Sequence, residues 1–219
     1  MTACLILAVG MLIGMGSMST PAQAFDIVFH FNAVQAIRQV GNASSFGSMA
    51  ALYQGTPTYY PTVWHGVVAL LPAGVTVASN AMALVVGALA WPLGIAGLRV
   101  EALDDDARPR GRTAAALGTV LSAATVGAPT MLLGTLAVWP YSLSVVCLPG
   151  VLVLGLRLLR RLPCEDAPGN DVPTEAPPPS GLLMSGLMFA GALAGILLAH
   201  GAGTFNTIVL LGPPAVTLV

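Results

Sequence analysis

The chain has 219 residues and a formal net charge of −1, and it is 56% hydrophobic but only 8% charged, with a mean hydropathy of +0.84. Soluble domains carry about 25% charged residues to keep their surface wet, so a water-soluble globule is excluded. A net charge this small also excludes electrostatic steering of nucleic acid, and the length suits one helical bundle with short loops.

The first element is an apolar core from Cys4 to Gly16, followed by Ala22-Gln23-Ala24, the small-x-small pattern that signal peptidase reads. No Arg or Lys precedes that core, whereas secretory signals begin with basic residues. Residues 1–24 are therefore expected to be a signal peptide or a retained N-terminal anchor helix. Either outcome places the following segment on the outer side.

Residues 25–65 read as an outer, periplasmic aromatic region. Phe25, Val28, Phe29, Phe31, Val34 and Ile37 mix helical and alternating spacing, and a short amphipathic helix lying on the bilayer is preferred over a strand. Tyr59, Tyr60 and Trp64 suit the headgroup layer.

Residues 66–219 read as the transmembrane helical domain. Gly66 to Leu98 contains no charged side chain and would be about 50 Å long as one helix, against about 30 Å of hydrocarbon. The span is expected to start near Pro72, with Thr62 to Leu71 at the interface and Pro92 near the far end. Thr113 to Leu156 is also free of charge and twice the length of one span. It predicts two helices joined at Trp139-Pro140-Tyr141-Ser142, bent at Pro129 and Pro149. Gly181 to Ala199 supplies a fourth mature span, and residues 206–219, interrupted by Pro213-Pro214, a short partial helix.

The expected fold is thus an all-α, polytopic transmembrane bundle of four mature spans, a signal or anchor helix and a short C-terminal partial helix. All eight basic residues are Arg, and seven of them fall in two loops. Loop 99–112 holds Arg99, Arg108, Arg110 and Arg112, and loop 157–180 holds Arg157, Arg160 and Arg161. Cytoplasmic loops collect basic residues, so both loops are expected inside a bacterial inner membrane with 25–65 outside. The predicted topology puts both clusters on one side and leaves only Arg38 as an exception. Asp104, Asp105 and Asp106 read as part of a solvated charge cluster, because hard-cation sites space their ligands apart.

The predicted spans contain no ionisable side chain except Arg157 near a helix end, which weighs against proton-coupled carriers and pumps. No nucleophile elbow, phosphate loop or metalloprotease motif is present, so the chain is read as non-enzymatic. Cys4, Cys147 and Cys164 are too scattered for a metal cluster.

Three features remain as candidate sites. Gly186, Ala190 and Ala194 form one small-residue ridge and Gly191 and Gly195 a second, of the kind that lets helix backbones approach closely, and Asn80 is placed with them as an interhelical hydrogen bonder. The default is packing within the bundle. His30, His65 and His200 all fall on the outer side, and imidazoles ligate zinc, copper and haem iron, so they form a speculative metal or haem site. Asn80, Ser79, Thr76 and Ser122 could line a path for a neutral or lipid-like solute. The leading expectation is an accessory, assembly or scaffold subunit whose partners are the lipid bilayer and other membrane proteins. A transport component and an outer-face metal or haem protein are the alternatives.

Overall fold

The computed structural model describes residues 1–102, 129–160 and 179–200, with the isolated positions 116, 118 and 120. Among these residues the regular elements are all helical: α1 (Thr2–Met15), α2 (Ile27–Val40), a 3-10 turn (Ser48–Tyr53), α3 (Val63–Leu70), α4 (Val75–Val85), a π-helical turn (Val86–Ala90), α5 (Trp91–Ala102), a second π-helical turn (Thr130–Thr135), α6 (Trp139–Leu159) and α7 (Pro179–Ala199). Three helical stretches are long and apolar enough to cross a membrane: Val75–Glu101, Trp139–Leu159 and Gly181–Ala199. That is one fewer than the four expected. Most of the missing one, residues 113–128 apart from 116, 118 and 120, lies outside the described residues, as do 206–219, Cys164 and most of both arginine loops.

Near the start of residues 25–65 the expected helix forms as α2. α2 buries Ile27, His30, Ala33, Val34 and Ile37, the i, i+3, i+4 stripe of an amphipathic helix, and ends where Gly41 turns left-handed at φ 70°, a conformation glycine adopts without steric cost. The next segment departs from expectation. The chain breaks at Leu71-Pro72, because a residue before proline is driven to extended backbone and Leu71 has ψ 130°. Pro72 therefore separates α3 from α4 rather than opening the span. Trp64, expected at the headgroups, is fully buried within the protein, whereas Tyr59 is 62% exposed.

The first span accommodates Pro92 by a local change of helix type. Proline lacks an N–H and its ring clashes with the carbonyl four residues earlier, here Ala88. The wide π turn from Val86 to Ala90 covers that position, as such turns commonly do where the regular hydrogen-bond ladder is interrupted. The turn expected at Trp139-Pro140 falls earlier, at Leu136 to Val138, and Trp139-Pro140 instead opens α6. Proline in a first turn forfeits no helical hydrogen bond. Ala137 carries the reversal at φ 50°, a left-handed conformation that costs an L-residue about 1–2 kcal/mol, and the Trp139 indole holds the turn by donating to the Leu133 carbonyl at 2.9 Å.

α5 and α6 run parallel at close range. A Cβ added to Gly94 would lie 2.8 Å from the Gly150 nitrogen and from Pro149 Cβ, and one added to Gly97 would lie 3.0 Å from Val153. At the end of this interface Glu101 accepts from Arg157 Nε at 2.6 Å and from Arg160 Nη1 at 2.8 Å, and its carbonyl accepts from Arg160 Nη2. The first two spans therefore finish at the same end of the bundle. α7 returns antiparallel along α6, bringing His200 edge-on to Tyr141 at the other end. α1 packs inside this frame, with Leu7 and Met11 buried and Met11 against Gly87.

Candidate functional sites: a histidine pair, a polar cavity and an apolar groove

α2 and α3 each present one imidazole to the other. His30 Nδ1 and His65 Nε2 are 2.9 Å apart, and the two side chains are 2% and 0% exposed. Aromatic rings enclose them. Trp139 lies over His30 at 5.3 Å and stacks on Trp64 at 5.4 Å, while Phe29 and Tyr60 close on His65 at 6.4 and 5.6 Å. The outward nitrogens, His30 Nε2 and His65 Nδ1, have no partner in hydrogen-bonding geometry, although the carbonyls of Ala137 and Pro61 lie near enough to raise the basicity of their respective rings.

Protons in this pair are constrained. Two neutral imidazoles hold two N–H groups; one fills the contact between the rings and the other can reach only one of the two carbonyls. A third proton would complete the chain but would place a charge in a buried site. Burial wins. It pushes His30 down to about 4, against the opposing pull of the Asp26 charge and the Ala137 carbonyl. Burial likewise pushes His65 down to about 3, helped by the repulsion of His30 and opposed by the Pro61 carbonyl. Burial also raises the Tyr60 phenol, with the Tyr53 and Asp26 charges adding to it. The pair is neutral at pH 7 and joins α2 to α3.

His200 does not join them in a ligand set. Its ring sits 5.3 Å from Tyr141, and no group of three His, Cys, Asp or Glu among the described residues is placed to hold a metal. The sequence grouped three histidines on one side; the structure brings two into contact.

Asn80 acts differently from the interhelical bond expected of it. Its Nδ2 donates to the carbonyls of Met18 at 2.9 Å and Thr20 at 2.8 Å, fastening the segment after α1 to α4. Beside it lies a cavity of about 330 Å³ lined by Thr20, Gln23, Asn80, Thr130 and Thr135 together with Gly10 and Met11. Of the other residues expected along a path, Ser79 is fully buried, Thr76 is half-buried, and Ser122 lies outside the described residues.

Among the described residues the small-residue ridges of α7 make no close helix approach. A Cβ on Gly186, Gly191 or Gly195 would meet nothing within 4 Å, and Ala190, Gly191, Ala194 and Gly195 are exposed. The close helix approach uses Gly94, Gly97 and Gly150 instead. Gly94 and Gly97 stand three apart and Gly150 has no glycine within four residues, so no ridge pattern of the α7 kind marked them. Between α5, α6 and α7 runs an apolar groove of about 680 Å³ with Gly97, Gly150, Leu154 and Gly195 on its walls and Arg157 among its lining residues.

Among the described residues every regular element is helical and three apolar helices are long enough to cross a membrane, which marks a membrane-integral helical protein. Along its full length, residues 1–219, it matches the model of a family of unknown function, DUF6541, and it belongs to that family. No curated protein and no solved structure matches it.

Proposed function

We propose that this protein is a non-catalytic subunit of a membrane assembly, an accessory or scaffold component that receives a transmembrane helix of another membrane protein on the outward face of α7. One observation carries the reading. Only 11% of the α7 span is buried, and its exposed face includes Ala190, Gly191 and Ala194, small residues of the kind on which helices associate in lipid. The proposed setting is a bacterial inner membrane, with 25–65 outside and the arginine loops cytoplasmic. The shared end of α5 and α6 around Glu101, Arg157 and Arg160 supports placing both arginine loops on one side. The proposed topology has four spans, including one through residues 113–138, with α1 retained as a further helix of the bundle. The burial of Leu7 and Met11 and the Asn80 bonds to Met18 and Thr20 support retention.

Photocross-linking from position 194 in native membranes tests this reading. A discrete adduct of higher mass is expected there, lost on Gly191→Leu and absent from a control position on the exposed side of α3 such as Val67. A clean monomer with no adduct overturns it. A second reading, a permease component for a neutral solute, is favoured by the polar cavity at Asn80. Proteoliposome flux of a small polyol that Asn80→Leu abolishes would support it, and flux indifferent to that substitution would remove it.

A further inference from the structure

We infer that the groove between α5, α6 and α7 seats one acyl chain of an anionic phospholipid whose phosphate is held by Arg157. The walls are apolar and rich in glycine, so the groove is a smooth channel in hydrocarbon rather than a site for a polar solute. Along α6 it extends from Leu143 to Arg157, a rise of about 21 Å, which exceeds the depth of one leaflet in a core about 30 Å thick. A chain entering at the Arg157 end would lie along this open groove with one side against the protein.

The second observation lies at the mouth. Arg157 spends only its Nε on Glu101, its terminal Nη1 and Nη2 make no hydrogen bond among the described residues, and its side chain is 51% exposed. Arg160, 56% exposed, stands beside it with Nη1 and Nη2 engaged by the same Glu101. Among the described residues two guanidinium groups share the Glu101 carboxylate, so this trio carries a net positive charge with unspent donors. A planar guanidinium presents paired N–H groups that match phosphate oxygens. An apolar channel ending at such a group is complementary to a molecule with a hydrocarbon tail and an anionic head. The groove shares Gly195 with α7's exposed surface, but Ala190, Gly191 and Ala194, on which the scaffold reading rests, are not among its lining residues, so the two readings are tested separately.

The test is native mass spectrometry of the full chain released from nanodiscs of phosphatidylglycerol and phosphatidylcholine with identical acyl chains. One phosphatidylglycerol is expected to remain bound and phosphatidylcholine to be lost. Arg157→Gln should cut the retained fraction about tenfold. Gly150→Leu, whose side chain has open space at its Cβ and would fill the groove, should abolish retention while circular dichroism stays unchanged. Gly186→Leu, outside the groove, should have no effect. Equal retention of both lipids, retention that survives either groove variant, or a dimer that Gly150→Leu dissolves with no lipid bound would each overturn the inference.

Discussion

Arg38 Nη2 donates to the carbonyl of Leu71 at 2.9 Å, and the same guanidinium reaches Val68 and Ala69, so one side chain of α2 satisfies the open C-terminus of α3. Helix ends leave carbonyls without partners and carry a partial negative charge that a cation complements. The arginine that stood outside the positive-inside pattern is thus occupied as a cap, and it locks the two helices that carry the histidine pair. Arg38→Gln should lower stability by about 1.5–3 kcal/mol, the usual contribution of a hydrogen bond to a charged group. Thermal unfolding in detergent reads this, and Arg38→Lys should recover part of the loss.

Acid should loosen the same junction. Both imidazoles have native values below the unfolded 6.5, about 4 for His30 and about 3 for His65, so below pH 6.5 the unfolded chain binds more protons than the native one. Their contribution is complete above 6.5 and falls as pH drops toward 4, by up to about 1.4 kcal/mol per pH unit for each ring. Denaturation midpoints followed by tryptophan fluorescence between pH 7.5 and 4.5 should fall, and His30→Phe with His65→Leu should flatten the dependence. The stacked Trp64 and Trp139 make the reporter local.

Retention of the first helix has a direct readout. Intact mass of the purified protein should include residues 1–24, because cleavage after Ala24 would strip Asn80 of both its acceptors. Asn80→Leu leaves the Met18 and Thr20 carbonyls unmatched and should cost about 1–3 kcal/mol. A mature chain beginning at Phe25 that unfolds at the same temperature would contradict this.

The glycines of the two interfaces should respond in opposite ways. Gly94→Ala places a methyl against backbone at 2.8 Å, and overpacking of this kind costs about 1–3 kcal/mol. Gly191→Ala meets open space and should be neutral or stabilising by up to about 1 kcal/mol through helix propensity. Unfolding of the two variants side by side in one detergent tests the assignment of the packing face.

What the sequence revealed followed from local rules. The apolar stripe of α2, the long uncharged runs and the isolated Asn80 are patterns within one segment, and each marks something the structure contains. Relations between segments were not available in that form. His30 and His65 are 35 residues apart with no shared motif, and Arg38 finds backbone carbonyls that carry no side-chain signature. The small residues of α7 form ridges and the glycines of α5 do not, yet only the order of helices in the bundle decides which pair meets. Trp139-Pro140 reads as a turn, but proline is equally at home in a first helical turn, and the left-handed Ala137 just before it takes the reversal instead.

The wide turn at Val86–Ala90 re-phases everything beyond it. In a regular helix Asn80 and Gly94, fourteen positions apart, would point within about 40° of each other. One residue taken up by a π bulge rotates the remainder by about 100°, leaving them about 140° apart. A single crossing thereby addresses two neighbours, the segment after α1 with its first half and α6 with its second, and deleting any one residue of that turn would swing one of these contacts away from its partner.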